Sequence, residues 1–176
     1  MAKRARNTIT VARAAGERSR GILRLGAKTH PVALSGGGIK ANKFEGDLAT
    51  PRGVFHPLRL WWRADRMPRP NTALPVRRIT RADAWCEDPA GRRYNQPIRL
   101  DDNASGDRLW RDDHLYDLIV EIDHNTRPRI AKRGSAVFLH LSRENLKPTA
   151  GCIAMPLGDL RRLVAKLDKN SVIRIV

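Results

Sequence analysis

Residues 136–154 read AVFLHLSRENLKPTAGCIA, and this stretch carries the strongest structural signal in the chain. Its first six residues are apolar apart from His140, which is typical of a buried β-strand. A polar segment follows, and the stretch ends on Gly151-Cys152 and two apolar residues. Because Pro156 then opens a helical pattern, we predict a strand, a loop and a cysteine immediately before a helix.

The residue types in this stretch suit a cysteine nucleophile with a histidine base. A thiolate attacks carbonyl carbons, and the pKa of a thiol falls near a helix N-terminus and an imidazole. His140 is suited to accept the thiol proton and to return it to a leaving amine. Gly151 lets the backbone approach a substrate, with N–H groups directed at a developing oxyanion. We therefore predict catalytic roles for Cys152, His140 and Gly151.

The same residue types also have structural interpretations. A lone cysteine is most often a small buried hydrophobe, and this is how we interpret Cys86. A histidine on an apolar strand is ordinarily a core residue with a hydrogen-bond partner. The position of His140 before the Cys152 loop favours the catalytic interpretation of both residues.

Short β-like runs separated by turns make up most of the remaining sequence. The clearest is Tyr116–Ile122, and weaker ones lie at residues 22–25, 31–34, 54–62 and 171–176. Apolar positions spaced along residues 157–167 predict one amphipathic helix. Residues 63–114 are rich in Pro, Asp, Asn and Arg and are predicted to be a long loop region with short elements. The predicted fold class is mainly β with one or two helices (α+β).

Charge is the most unusual feature of the composition. The 176 residues include 34 basic and 18 acidic side chains, which gives a net charge of +16. Such a surface attracts polyanions, either nucleic acid or a carboxylate-rich cell wall. The sequence lacks zinc-finger spacing and RNA-binding aromatic motifs, so we predict no specific nucleic-acid partner. It also lacks an apolar run of transmembrane length and the apolar segment of a secretory signal.

The basic residues are densest near the start of the chain. Residues 1–20 contain one acid, Glu17, and six basic side chains: Lys3, Arg4, Arg6, Arg13, Arg18 and Arg20. We predict a mobile basic arm over residues 1–20 and a catalytic domain over residues 21–176. With two cysteines and no Cys/His cluster of zinc spacing, neither a disulfide scaffold nor a metal site is predicted.

A second motif lies upstream, where residues 46–55 read GDLATPRGVF. Alone it is a turn between strands, but together with Thr149-Ala150-Gly151-Cys152 it resembles the YkuD-type L,D-transpeptidase catalytic domain. That family has a Thr-Pro-x-Gly-x-Phe segment ahead of the cysteine loop. Residues 75–97 and the Asp117-Leu118 and His124-Asn125 pairs resemble a shorter proteobacterial subgroup. The resemblance covers roughly residues 20–176 and departs from the better-known family pattern around the cysteine.

The departures concern two positions and one spacing. Ala150 stands where the better-known pattern has a second histidine, and Ala154 stands where it has Asn or Arg. His140 precedes Cys152 by only 12 positions (152 − 140). The base role therefore falls on His140 alone, and the acyl acceptor and the cross-link type stay open.

The resemblance implies a β-sandwich-like fold, no cofactor and acyl transfer on peptidoglycan stem peptides. Cys152 would attack the amide between an L-centre and a D-centre of the donor stem and form a thioester. An amine of a second stem would then resolve it into a cross-link. Such enzymes typically act in the periplasm and are acylated by carbapenems, so we expect a periplasmic or cell-envelope location. The oligomeric state stays open.

Five further residues are candidates for contact with the substrate: Thr149, Ser135, Tyr94, His124 and Asn125. Each also has a structural interpretation. Ser135 and Thr149 are types that cap turns, His124-Asn125 follows a strand, and Tyr94 is a type that packs in cores.

Two alternative functions stay open. A carboxypeptidase, endopeptidase or amidase would use the same Cys152 and His140, with water resolving the acyl-enzyme. A non-catalytic basic module that binds a polyanion would need neither residue.

Overall fold

The structure is a computed structural model that describes residues 7–100 and 106–176. Its strands in chain order are β1 (Thr8–Arg13), β2 (Arg20–Leu25), β3 (Lys28–Ala33), β4 (Ile39–Lys40), β5 (Thr50–Pro51), β6 (Gly53–Phe55), β7 (Pro57–Trp62), β8 (Val76–Arg78), β9 (Asp83–Trp85), β10 (Pro97–Arg99), β11 (Asp107–Arg108), β12 (Leu118–Ile122), β13 (Phe138–Leu141), β14 (Ile153–Met155) and β15 (Val172–Ile175). A 3-10 turn at Glu144–Leu146 and one α-helix, α1 (Leu157–Val164), complete the described secondary structure.

Ten of the strands form one large mixed sheet in the order β6-β15-β1-β2-β3-β14-β13-β12-β7-β8. Most neighbours are antiparallel, but β1/β15, β13/β14 and β7/β8 are parallel. A three-stranded sheet, β10-β9-β11, and the short β4-β5 pair accompany it. The predicted class, mainly β with one or two helices, is confirmed, and the described chain has one α-helix.

The two faces of the large sheet carry different cores. Side chains alternate between faces along a strand, so Leu139 and Leu141 of β13 join the main core with Leu160 and Leu163 of α1. The opposite face of β13 carries Phe138, which belongs to a second core. That second core also contains Trp61 and Trp85, with the rings of Trp85 and Phe138 packed edge to face at 4.9 Å.

The beginning of the described chain is part of the large sheet. Thr8–Arg13 forms β1, which pairs with β15 on one side and β2 on the other. Ile9 and Val11 are fully buried in the main core. The prediction of a mobile arm over residues 1–20 is therefore wrong for β1. Its alternating apolar side chains, Ile9 and Val11, anchor this segment in the main core. Residues 1–6 lie outside the described part of the chain.

The segment after Cys152 also differs from the prediction. Apolar spacing correctly predicted α1, which begins at Leu157, but Cys152 is followed by strand β14 rather than by the helix. Ile153 and Met155 of β14 are fully buried beside β13. The cysteine thus lies at the start of a strand, and no helix N-terminus stabilises its thiolate.

The region predicted as a long loop contains a folded layer. Residues 63–114 include β8 of the large sheet and all three strands of the small sheet. Trp85 of β9 lies in the second core. This layer covers the face of the large sheet that carries Phe138 and so forms the surroundings of the candidate site.

Candidate active site

A cavity of about 410 Å³ lies against the ends of β13 and β14. Cys152, His140 and Gly151, the three predicted catalytic residues, all line it, and so do Thr149 and Ser135. A volume of this size is within the range of small-molecule sites. The structure therefore brings the central part of the predicted site together around one cavity.

Strand register explains why Cys152 and His140 share this cavity. Parallel pairing of β13 with β14 sets Leu139 opposite Ile153 and His140 opposite Ala154. Leu139 and Ile153 enter the main core. Because alternate residues point to opposite faces, the side chains of His140 and Cys152 project from the other face of the sheet. They lie on neighbouring strands, two residues apart in register.

The Cys152 thiol is nearly enclosed, with 8% of the residue exposed. Its sulfur accepts a hydrogen bond from the Phe138 N–H at 3.3 Å, and the thiol donates to the Ala136 carbonyl at 3.2 Å. Burial raises the thiol pKa to about 12, and the carboxylates of Asp107 and Glu87 contribute to the rise. The Cys152 side chain is therefore a neutral thiol at neutral pH, contrary to the expectation of a lowered pKa.

The His140 imidazole is buried and fixed in one tautomer. Its Nδ1–H donates to the Leu141 carbonyl at 2.8 Å, because a carbonyl only accepts. The other nitrogen, Nε2, is then left with its lone pair. Burial, together with the positive charges of Arg111 and Arg143, lowers the imidazole pKa to about 4. At neutral pH His140 is an uncharged base.

The two sequence motifs are linked by hydroxyl and backbone hydrogen bonds through Ser35. Thr50, from the upstream Thr-Pro motif, is fully buried and donates to the Ser35 hydroxyl at 3.0 Å. Ser35 forms a parallel bridge with Thr149, whose backbone N–H donates to the Leu34 carbonyl at 3.0 Å. The Thr149 hydroxyl in turn donates to the Cys152 carbonyl at 2.7 Å. The upstream motif thus positions the cysteine loop, and Thr149 is anchored in that loop.

Gly151 lies against a buried cation that sequence reasoning did not single out. A Cβ placed on Gly151 would be 3.7 Å from Nζ of Lys43 and 3.4 Å from the Ala49 carbonyl. The Lys43 side chain is 6% exposed and lines the cavity. Its ammonium donates to Asp47 at 2.8 Å. The backbone just before Cys152 therefore packs beside a fixed positive charge.

The Glu45 carboxylate accepts hydrogen bonds from two hydroxyl groups at one wall of the cavity. Ser135 lines the cavity, but its hydroxyl donates to the Glu45 carboxylate at 2.8 Å. The Tyr94 hydroxyl also donates to Glu45 and accepts the Gly134 N–H at 3.0 Å. Burial raises the pKa of Tyr94, and its bond to Glu45 adds to the rise. Tyr94 is buried behind this wall and does not line the cavity.

His124 and Asn125 lie outside the cavity, in the loop after β12. The Asn125 side chain donates to the Ile130 and Gly134 carbonyls, both at 3.0 Å. His124 Nε2–H donates to the Arg133 carbonyl at 3.2 Å, and burial lowers the His124 pKa to about 4. The structure therefore gives Tyr94, His124 and Asn125 structural contacts rather than a place in the cavity.

Another wall of the cavity is acidic, and its residues come from the region predicted as a loop. Glu87 and Asp107 line the cavity beside Tyr116, whose hydroxyl donates to Asp107 at 2.8 Å. Desolvation raises the pKa of Glu87 to about 7, helped by the charges of Asp107 and Glu45. Sequence reasoning missed these carboxylates because neither belongs to a motif with recognisable spacing.

Arginine and lysine side chains complete the lining, and Arg111 lies 3.6 Å from Asp107. Arg111, Arg143 and Lys147 all border the cavity. Across residues 7–100 and 106–176, no group of three His, Cys, Asp or Glu side chains is placed to hold a metal ion. The same residues include no helix that is long and apolar enough to cross a membrane.

One family pattern matches almost the whole chain. The pattern of the L,D-transpeptidase catalytic domain, YkuD, matches residues 6–175. Among solved structures, the chain is similar to L,D-transpeptidase 1 of Mycobacterium tuberculosis, with a TM-score of 0.40 and 12% identity. That alignment covers 97% of this chain and 62% of the other, so this chain spans about three fifths of its length. No curated protein matches the sequence. Because the family pattern covers almost the whole sequence, the chain belongs to the YkuD family of L,D-transpeptidase catalytic domains.

Proposed function

We propose that the protein is a peptidoglycan L,D-transpeptidase with Cys152 as nucleophile and His140 as base. The observation that carries the proposal is the pair itself: a neutral thiol and a neutral imidazole line one cavity in a chain of this family. The cavity is bordered by both acidic and basic side chains, which suits a stem peptide with free amino and carboxylate groups. We place its action in the cell envelope.

Acylation begins with the proton on sulfur. As the Cys152 sulfur attacks the carbonyl carbon of the donor amide, the S–H bond breaks and Nε2 of His140 takes the proton. The carbonyl oxygen becomes an oxyanion, which the nearby Lys43 charge favours. When the intermediate collapses, the C–N bond breaks and the amine leaves with the proton from His140. A thioester on Cys152 remains.

Deacylation decides between transfer and hydrolysis. In transfer, an amine of a second stem attacks the thioester, His140 takes its proton, and the thiol is restored as a new amide forms. In hydrolysis, water takes the place of the amine. Ala150 and Ala154 stand where the better-known pattern has polar residues, so the cavity margin has two fewer polar side chains than that pattern would give. Product analysis of purified muropeptides by mass, with and without an acceptor stem, separates the two outcomes.

The decisive experiment is intact-mass detection of a carbapenem adduct, mapped to its residue. Wild-type protein is expected to gain one adduct on Cys152, and Cys152→Ala is expected to gain none. Cys86→Ala is the matched control, because Cys86 is also buried but lies outside the cavity lining. An adduct that persists in Cys152→Ala, or one that maps to Cys86, would remove Cys152 from the mechanism.

A further inference from the structure

One half of the large sheet leaves a face uncovered by the described part of the chain. Strands β6, β15, β1, β2 and β3 are neighbours, and their alternate apolar side chains enter the main core. The side chains of the opposite face include Ile22 and Val54, which are 44% and 55% exposed. The small sheet that covers the other half of the large sheet does not cover these two residues.

The uncovered face is strongly positive. None of its five strands contains Asp or Glu. Register places Arg174 beside Thr10 and Thr10 beside Arg24, so two arginines lie on one row across the face. Arg20 lies on the same face of β2, two alternations away from Arg24. We call the surface formed by Arg20, Ile22, Arg24, Thr10 and Arg174 the arginine face.

The arginines of this face differ from several arginines near the cavity, which pair with carboxylates. Among residues 7–100 and 106–176, neither Arg20, Arg24 nor Arg174 makes an ion pair. In the layer formed by residues 63–114, by contrast, Arg66 pairs with Asp117 at 2.6 Å and Arg111 with Asp113 at 2.5 Å. The arginine face therefore carries positive charge that no carboxylate of its five strands balances, which is typical of a surface that binds an anion.

The arginine face continues into the candidate active site. Pairing joins Arg20 to Ala33, Ala33 to Ala154, and Ala154 to His140. Paired residues project from the same face of a sheet, so Arg20 and His140 lie on one face. They are on the first and last of four neighbouring strands, which are separated by three inter-strand spacings. With strands about 4.8 Å apart, their backbones are separated by roughly 14 Å. The intervening Ala33 and Ala154 are buried, so a polymer on the arginine face would reach the cavity over the loop that joins β13 to β14, which contacts Arg20.

The loop between β13 and β14 extends the positive charge from the face to the cavity. The Arg20 guanidinium donates to the Asn145 carbonyl in this loop at 3.0 Å. Two other loop residues, Arg143 and Lys147, line the cavity. Positive side chains therefore run from Arg24 and Arg20 over the loop to the site.

We propose that the arginine face binds the carboxylate-bearing glycan–peptide polymer of the cell wall and holds it beside the cavity. The proposal rests on the proposed function, since it names the polymer whose stem peptides that site acts on. Continuity with the cavity favours this occupant over nucleic acid. Exposed Ile22 and the threonine beside the arginines add apolar and hydroxyl contacts that suit sugar rings. A short soluble muropeptide occupies only the cavity, so contacts with the arginine face add nothing to its binding affinity.

The test compares two charge reversals of equal size in the full chain. Arg24→Glu/Arg174→Glu alters the arginine face. Arg69→Glu/Arg161→Glu is the matched control, because Arg69 is an exposed loop residue and Arg161 lies on α1, which packs against the opposite face. Both sets are made also in a Cys152→Ala background, so that sedimentation with purified sacculi measures binding without turnover.

Reversal on the arginine face is expected to weaken binding to sacculi roughly tenfold at low salt, since it replaces two attractions by two repulsions. The control pair is expected to weaken it far less. Turnover of short soluble muropeptides is expected to stay at the wild-type level in both. Equal losses in the two pairs, or unchanged binding in the Arg24/Arg174 pair, would overturn the proposal. So would a face variant that loses short duplex DNA but keeps sacculi. Absence of wild-type turnover on soluble muropeptides would instead refute the proposed function.

Discussion

The backbone N–H of Phe138 donates to the sulfur of Cys152 at 3.3 Å, so Cys152 is held against the strand that carries His140. The thiol completes the link by donating to the Ala136 carbonyl at 3.2 Å. In this resting state the proton stays on sulfur, because the thiol pKa is about 12 and the His140 pKa about 4. Proton transfer must therefore accompany attack on the substrate rather than precede it.

The pH dependence of acylation follows from these two pKa values. Wild-type acylation by a carbapenem is expected to rise with pH through about 4, where His140 loses its proton, and then to stay flat from pH 6 to 9. In His140→Gln the rate at neutral pH is expected to fall roughly 10²- to 10⁴-fold, the usual contribution of a positioned base. The residual rate should climb about tenfold per pH unit, because the thiolate fraction below a pKa of about 12 does so.

Stopped-flow acylation across this pH range checks the prediction, with unfolding followed in parallel so that loss of structure at low pH is not mistaken for titration. A wild-type rate that rises steadily from pH 6 to 9 would show that thiolate formation, not His140, controls the reaction. An unchanged rate in His140→Gln would remove this residue from the proton transfer.

Sequence patterns predicted the parts of the site that depend on backbone periodicity. An apolar run with one histidine gave β13 and the position of His140, and leucine spacing gave α1. The environment of Cys152 was not predictable in the same way. A Gly-Cys step before a helical pattern is equally compatible with a helix N-terminus and with a three-residue strand. Burial of Ile153 and Met155 beside β13 decides for the strand, and that is a tertiary effect.

The Thr50 hydroxyl gives a prediction about stability, because Thr50 is fully buried and its hydroxyl makes two hydrogen bonds with Ser35. It donates to the Ser35 hydroxyl at 3.0 Å and accepts the Ser35 N–H at 3.3 Å. Thr50→Val keeps the shape but leaves a buried N–H without its partner, which costs about 1–3 kcal/mol of unfolding free energy. Acylation is expected to slow as well, since Ser35 bridges to Thr149 of the cysteine loop.

Urea unfolding measures the change, and Thr29→Val is the control. Thr29 is exposed on β3, where valine is an equally good strand residue, so its effect should stay within about 0.5 kcal/mol. If Thr50→Val is as stable as this control, the link between the two motifs is not what holds the cysteine loop.

Lys43 provides a test of charge near the nucleophile. Lys43→Met keeps a long apolar stem beside Gly134, where a Cβ would be 2.8 Å from Cε of the lysine, and removes the ammonium next to Gly151. We expect acylation to slow roughly tenfold to a hundredfold, somewhat less than the loss of a direct oxyanion donor. The loop should persist, because Asp47 still accepts the N–H groups of Phe44 and Ala49, both at 2.9 Å.

The single-turnover acylation rate at saturating carbapenem is the measurement, compared with Lys40→Met. Lys40 is exposed and lies outside the cavity lining, so its removal changes net charge without changing the site. Equal rates in Lys43→Met and Lys40→Met would show that the buried ammonium only stabilises the loop.

Some of the cavity could not be found from the sequence at all. Glu87 and Asp107 come from a segment without hydrophobic periodicity, and only the pairing of β9 with β11 brings that segment against the site. Tyr94 and Asn125 illustrate the opposite error, since polar and aromatic residues near a motif suggested substrate contact. In the structure Tyr94 donates to Glu45 and Asn125 donates to loop carbonyls, and neither side chain lines the cavity.

Removal of residues 1–20 tests the corrected position of the N-terminal segment. Deletion takes away β1 and, with it, the pairing of β15 and β2 on either side. Ile9 and Val11 also leave the main core. Since truncation of a single buried aliphatic side chain costs about 2–5 kcal/mol, the loss of both and of two strand interfaces exceeds the stability of an ordinary domain. We expect no cooperative thermal transition and no acylation.

The double variant Ile9→Ala/Val11→Ala separates the loss of core packing from the loss of basic charge, because it keeps every basic residue and the backbone of β1. It should lower the melting temperature by at least about 10 °C. A deletion that melts like the full chain would mean that β1 is dispensable and that the arm interpretation was right.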